Sequence, residues 1–221
     1  MVPQEKLKPY KVLLRETDTG KDKNSLIIKR YNFATSIVKR ALDLFLSLFA
    51  LILLSPLFIL IVILIKVTSK GPAIYAQERL GRNGKPFMLY KFRSMVADAE
   101  KHTGPVLAKQ KDERVTRVGR LLRRTRLDEF PQILNVIKSE MSIVGPRPER
   151  DFFVKQHPEL QGMRLSVKPG LTGLAQIEGA YHSTPREKWQ YDEFYISYMS
   201  LTLDILIILK TVWVILSKKG S

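Results

Sequence analysis

Two adjacent carboxylates, Asp128 and Glu129, follow directly on six arginines, Arg114, Arg117, Arg120, Arg123, Arg124 and Arg126, that fall within thirteen residues. Acidic groups beside phosphate-binding cations can act as a nucleophile or a metal ligand in phosphoryl chemistry. The same Asp128, with Pro131 close behind and the helical pattern Ile133, Leu134, Ile137 after it, equally fits an N-cap whose charge meets the helix dipole. A helix N-terminus itself attracts phosphate, so cap and catalyst share one geometry and both readings stay open. Val115, Val118 and Leu122 recur at helical spacing among the arginines, which predicts an amphipathic basic helix facing a phosphate-bearing surface. Anionic lipid suits that surface, whereas no nucleic-acid reader motif is present.

Two proline-glycine segments lie downstream. In Gly145-Pro146-Arg147-Pro148-Glu149 a proline on each side restricts the backbone and fixes where the Arg147 guanidinium points, and arginine suits two-pronged phosphate recognition. Lys168-Pro169-Gly170-Leu171-Thr172-Gly173 reads as a turn with backbone N–H groups free to meet a ligand. Upstream, Asn83-Gly84 marks a hairpin turn between strands at residues 73–77 and 87–93, and alternation sets Phe87, Leu89, Lys91 and Arg93 on one face. Neither a Walker A loop nor the dinucleotide glycine fingerprint occurs. The chain has no cysteine, and His102, His157 and His182 are too far apart for a local zinc motif, so any metal should be a hard cation held by oxygen.

The elements that must carry these groups include a strongly apolar stretch. Residues 44–65 read LFLSLFALILLSPLFILIVILI, long enough for a bilayer core of about 30 Å. Ser55-Pro56 interrupts it, and basic residues flank both ends, Lys39 and Arg40 before, Lys66 and Lys70 after. A re-entrant helix-break-helix with both ends on one side is the favoured expectation over a kinked spanning helix. Residues 201–216 are apolar but carry Asp204, Lys210 and Thr211, and predict either an interfacial helix or one packed on the core. Residues 1–35 read as a loosely structured polar extension. A length of 221 residues and a net charge of +16 leave room for one soluble domain and favour polyanionic partners.

In order along the chain, the apolar segment broken at Ser55-Pro56, Tyr90-Lys91-Phe92-Arg93-Ser94-Met95, Leu127-Asp128-Glu129, Gly145-Pro146-Arg147-Pro148 and Lys168-Pro169-Gly170-Leu171-Thr172-Gly173 resemble the bacterial sugar transferases, the monotopic phosphoglycosyl transferases, over about residues 36–217. The resemblance implies a mainly helical α+β protein. Its expected parts are an extension (1–35), a re-entrant membrane helix (36–66), a cytoplasmic catalytic domain (67–200) and an interfacial helix (201–221). It implies transfer of a hexose 1-phosphate, with glucose or galactose as the sugar, from a UDP-sugar to polyprenyl phosphate (undecaprenyl phosphate) at the cytoplasmic face of the bacterial inner membrane. UMP would leave, and an aspartyl-phosphosugar would form on Asp128. Glu129 takes the family's second acidic position, for metal positioning or acid-base work, so Asp128 and Glu129 are the expected Mg²⁺ ligands. Lys91, Arg93, Arg123, Arg147 and Thr172 are the expected phosphate and substrate contacts, and a homodimer is left open. Two rivals are a membrane-tethered basic scaffold binding anionic lipid or nucleic acid without chemistry, and a glycosyltransferase that moves the sugar without its phosphate.

Overall fold

A computed structural model describes residues 7, 9, 10, 33–97, 99, 112–179 and 184–217. Two helices, α1 (Phe33–Leu53) and α2 (Ser55–Thr68), come first and meet at a bend of 61°. The bend follows from Pro56, which has no N–H to donate to the carbonyl four residues back. That carbonyl, on Ile52, is instead taken by the Ser55 hydroxyl at 2.8 Å, and Pro56 falls in the first turn of α2, where no donor is needed. No single helix among the described residues is long and apolar enough to cross a membrane, but this bent pair is, by length and composition. The expected helix-break-helix is therefore present as geometry.

The pair buries little of its apolar surface. Ile61 and Ile65 pack with Ala73, Phe92 and Leu122, whereas Phe45, Ile52 and Val67 are 65%, 74% and 81% exposed. The first half of α1 behaves differently, since Lys39, Asp43 and Ser47, spaced four apart along one face, are all buried. Lys39 Nζ reaches Asp204 Oδ2 at 2.7 Å and the Val144 carbonyl at 3.2 Å, and Asp43 accepts from the Ile143 N–H at 3.0 Å. Arg40 donates to the carbonyls of Val136 and Ile137 at 2.7 and 3.0 Å. Lys39 and Arg40, expected as a basic flank of the apolar segment, are thus drawn into the body of the protein by a buried carboxylate and by helix-end carbonyls.

β1 (Ile74–Leu80) and β2 (Pro86–Phe92) form the expected antiparallel hairpin, with Tyr75 opposite Lys91. Asn83 and Gly84, at φ 59° and 71°, supply the left-handed turn that the Asn-Gly pair announces. α3 (Arg117–Arg124) is shorter than the arginine pattern suggests. Thr116 caps it, accepting from the Gly119 N–H at 2.9 Å, Arg114 lies outside paired with Asp112, and Arg126 closes the segment at φ 57°. A 3₁₀ turn over Leu127–Gln132 leads into α4 (Ile133–Ile137). Asn135, fully buried on α4, ties the 3₁₀ region to the hairpin by accepting from the Tyr90 N–H at 3.1 Å and donating to the Met88 carbonyl at 2.7 Å.

β3 (Ser142–Val144), α5 (Asp151–Gln156) and β4 (Gly170–Thr172) follow, and β3 pairs with β4 in parallel. The backbones come very close here: a Cβ on Gly170 would lie 2.1 Å from the Gly145 nitrogen. Of the Lys168–Gly173 N–H groups expected to be free for a ligand, that of Gly170 is taken by the Pro146 carbonyl at 2.8 Å, while the Thr172 carbonyl accepts from Gly145 N at 2.9 Å. α6 (Leu174–Glu178), α7 (Pro185–Ser197) and α8 (Leu201–Leu216) complete a mainly helical α+β fold. Of the two readings expected for α8, packing against the core is the one observed, on one of its faces. Leu203, Asp204, Ile207 and Val214 are buried, while Leu209, Trp213 and Leu216 on the other side are exposed. Lys210 pairs with Glu178 and donates to the Tyr10 hydroxyl at 3.0 Å, and Leu7 and Tyr10 are buried in the core with α7 and α8. The amino-terminal extension therefore contributes core residues at these positions, and residues 33–35, expected to belong to it, already form the start of α1; the rest of the expectation for it falls outside the described residues.

Candidate active site

β2 supplies Lys91, α3 supplies Arg123, the 3₁₀ turn supplies Asp128 and Glu129, and the Pro-Arg-Pro loop supplies Arg147. These five converge. Arg147 grips Glu129 with both arms, Nη1 to Oε2 at 3.2 Å and Nη2 to Oε1, and Lys91 Nζ reaches Oε1 at 3.3 Å. Burial alone would raise the Glu129 carboxyl, but the charges and hydrogen bonds of Arg147 and Lys91 outweigh it and hold the group far below the usual carboxylate range. Glu129 is a permanent anion.

Asp128 is its opposite. Its carboxylate accepts no hydrogen bond from any described residue, and burial together with the charge of Glu129 raises its pKa against the pull of Lys91, Arg123 and Arg147. Neighbouring carboxyls pushed apart in this way suit different tasks, one fixing charge and one reacting. The N-cap expected at Asp128 does not form: Arg126 occupies the cap position, no side chain caps the turn, and Asp128 sits inside its first turn. The short Phe130-Pro131 segment tightens the chain to 3₁₀ geometry there, so the boundary moves two residues upstream.

Arg123 is held by the Ser94 hydroxyl, its Nε donating at 2.8 Å. α3 comes this near because Gly119 has no side chain; a Cβ there would lie 1.9 Å from the Ser94 carbonyl oxygen. Arg93, expected beside Lys91, is turned elsewhere. It is buried, with its two terminal nitrogens on the Lys70 and Ser69 carbonyls at 2.8 Å, so it closes the end of α2 instead of facing phosphate. Thr172 is likewise buried and bonds Thr211 on α8 at 2.7 Å. Both are set apart from the charged cluster.

Sequence reasoning passed over Ser94, Arg79 and Arg164. Ser94 lies inside a quoted motif, but only the close pass of α3 gives it a role. Arg79 donates to the Pro148 carbonyl at 3.4 Å, and Arg164 to the Arg147 carbonyl at 2.6 Å, two arginines bracing the loop that carries Arg147. Strand alternation from Tyr75, which faces Lys91, could have found Arg79; no local signal points to Arg164.

As to metal, no cluster of three or more acidic or histidine side chains exists among the described residues. A carboxylate offers about four lone-pair sites. Glu129 uses three on Lys91 and Arg147, leaving one on Oε2, while Asp128 retains all of its own. This donor set fits Mg²⁺ shared with substrate phosphates, which needs only one or two protein carboxylates, and not a preformed protein cage.

The model of a family described as bacterial sugar transferase matches residues 34–218. The UDP-N-acetylgalactosamine-undecaprenyl-phosphate N-acetylgalactosaminephosphotransferase of Aeromonas hydrophila is 41% identical over 192 residues, 84% of this chain and 45% of that protein. The UDP-glucose:undecaprenyl-phosphate glucose-1-phosphate transferase of Klebsiella pneumoniae is 43% identical over 190 residues, 82% and 41% of the two chains. This chain thus spans less than half the length of these two relatives. It covers 94% of the exopolysaccharide production protein PSS of Rhizobium leguminosarum bv. phaseoli, at 39% identity over 188 residues. With a family match over most of its length, and with a relative covered almost end to end, the chain belongs to the bacterial sugar transferase family.

Proposed function

We propose that this protein transfers a hexose 1-phosphate from a UDP-sugar to undecaprenyl phosphate, releasing UMP, as the first membrane step of a cell-surface polysaccharide. Family membership and the relatives' names support the reaction class, and those names span N-acetylgalactosamine, glucose and galactose. The observation that carries a covalent route is Asp128, a carboxylate without a hydrogen-bond partner among the described residues, beside a Glu129 already neutralised by two cations.

In this reading an Asp128 oxygen attacks the sugar-bearing phosphorus, forming an O–P bond as the bond to the UMP oxygen breaks and UMP leaves with the electron pair. An oxygen of the lipid phosphate then attacks the same phosphorus and restores the Asp128 carboxylate. Splitting the displacement lets donor and acceptor visit in turn. Lys91, Arg123 and Arg147 hold and neutralise phosphate oxygens. Mg²⁺, held by Asp128 and the remaining Glu129 lone pair with the donor's phosphates, would offset charge on the leaving oxygen.

The exposed apolar surfaces of α1, α2 and α8 suit burial in one leaflet, and the basic face of α3 suits anionic headgroups. In this reading the protein is a monotopic enzyme with a re-entrant α1–α2 pair and its catalytic body, residues 67–200, on the cytoplasmic side of the inner membrane. Incubation with UDP-sugar and Mg²⁺ but no lipid tests the chemistry. A UMP burst near one per enzyme with a phosphosugar adduct on Asp128 is expected. An adduct on Glu129 would move the nucleophile, and with a productive donor no burst and no adduct would leave direct attack by the lipid phosphate. Release of UDP would indicate sugar transfer without phosphate.

A further inference from the structure

Arg164 and Asp192 form the most deeply buried ion pair among the described residues whose exposures are given, Nε to Oδ2 at 2.8 Å, with side chains 3% and 2% exposed. Such a pair does little for stability by itself, because the cost of drying two charges can exceed their attraction. Arg164 does something more than pair. Its Nη2 donates to the carbonyl of Arg147 at 2.6 Å, so a guanidinium anchored on α7 grips the main chain of the very residue whose own guanidinium forks onto Glu129. Backbone bonds hold the loop on both sides, Gly170 N on the Pro146 carbonyl at 2.8 Å and Leu80 N on the Glu149 carbonyl at 3.0 Å, whereas the Arg147 and Pro148 carbonyls between them are taken by arginine side chains. Arg79, on β1, donates to the next carbonyl, on Pro148, at 3.4 Å.

We infer that Arg164, locked in orientation by Asp192, is a positioning residue that sets the Arg147 fork against Glu129, relaying the rigidity of α7 to the reaction site. The inference rests on the proposed phosphosugar transfer, in which Arg147 contacts substrate phosphate. Arginine is required at 164 because two donors about 2.3 Å apart on one planar group must satisfy a carboxylate and a carbonyl together. Lysine carries its donors on a single nitrogen, which cannot stand at both places that Nε and Nη2 occupy, so it reaches the carboxylate and the carbonyl together only if one of them moves. A shift of about 1 Å in a group that positions substrate can lower turnover roughly a hundredfold.

The test uses the full chain in detergent or lipid discs, with UMP release from a productive UDP-sugar as the readout beside the melting temperature. Arg164→Lys, which keeps the charge facing Asp192, is expected to lower kcat at least about tenfold with a melting point close to wild type. The paired change Arg164→Met with Asp192→Leu fills the site with apolar groups and is expected to restore folding but not turnover, since no donor reaches the Arg147 carbonyl. A merely structural pair predicts the reverse, activity returning with the melting temperature. That result, or full kcat in Arg164→Lys, or a loss of activity that only tracks a loss of folded protein, overturns the inference. If instead Arg147→Lys keeps full activity, or wild type releases no UMP from any UDP-sugar, the reading of the site fails and the inference falls with it.

Discussion

Two clusters in this protein have nearly the same ingredients, a lysine, a carboxylate and groups around them, and opposite designs. Where α1, α7, α8 and β3 meet, Lys39 donates to Asp204 at 2.7 Å and to the Val144 carbonyl at 3.2 Å, Tyr195 donates its one hydroxyl proton to Asp204 at 2.7 Å, and each of these groups has a partner. Where β2, the 3₁₀ turn and the Pro-Arg-Pro loop meet, Lys91 and Arg147 satisfy Glu129 while Asp128 beside it accepts no hydrogen bond from the described residues. A buried polar network that is fully satisfied holds elements together; one that leaves a carboxylate unmatched keeps a group in reserve for something that arrives. The first cluster fastens the apolar helices to the body, and the second, in the proposed reaction, is the one that meets substrate.

The sharpest break between them is Asp128→Asn. The amide keeps the shape but cannot form an acyl phosphate, so UMP release should fall by a factor of at least about a thousand, roughly 4 kcal/mol of barrier. Because no described hydrogen bond depends on that carboxylate, unfolding should be little changed or slightly harder. Asp204→Ala inverts the pattern. Removing one member of a buried pair strands Lys39 and should cost about 3 kcal/mol or more in unfolding by denaturant, with activity per folded molecule largely kept. If Asp204→Ala abolished turnover in folded protein, the division between fastening and reacting clusters would fail.

Next in size is Arg147→Lys, which keeps the charge near Glu129 but loses the fork. A fall of about tenfold to a hundredfold in kcat/KM with an unchanged melting point is expected. The pH profile sharpens the same contrast. Asp128 must be ionised to attack, and burial and Glu129 raise its pKa, so activity is lost as pH falls through a value above the ordinary carboxylate's ~3.9. Glu129→Gln removes the neighbouring negative charge and should move that acid limb to lower pH in whatever activity remains. A limb that does not move would mean that Asp128 does not feel Glu129, and one that moves upward would reverse the sign of the coupling.

Much of this arrangement was legible in the residues. Proline at position 56 dictates the break, Asn83-Gly84 dictates the hairpin, and the order of motifs brought Lys91, Arg123, Asp128, Glu129 and Arg147 to one place. What the sequence could not convey is which partner each charge chooses. Lys39 and Arg40 read as a membrane-edge flank because no local pattern reveals Asp204, 165 residues away, or the α4 carbonyls. Alternation put Arg93 with Lys91, but β2 ends at Phe92, and the end of α2 captures the arginine. The Lys168–Gly173 segment reads as a turn with N–H groups free for a ligand, whereas its Gly170 and Gly173 serve close approach to the Gly145 backbone, a distinction that only tertiary contact makes.

The smallest expected effect tests how finely the reacting cluster is tuned. Ser94 is buried behind the site, and its hydroxyl accepts from Arg123 Nε at 2.8 Å while its carbonyl accepts from Thr116 N at 3.0 Å. Ser94→Ala leaves the carbonyl, the Gly119 contact and the charge on Arg123, and removes only the group that fixes the guanidinium plane. The exposed arginines of α3 remain, so attraction of the donor to the surface should persist. A hydrogen bond of this kind is worth roughly 1 kcal/mol, so kcat/KM for the UDP-sugar should fall about fivefold with the melting temperature within a few degrees. A loss as large as that of Arg147→Lys would make Arg123 an equal partner in holding phosphate. No loss at all would mean that its orientation is set by the substrate on arrival and not by the fold, and the pre-set part of the site would shrink to Lys91, Glu129 and Arg147.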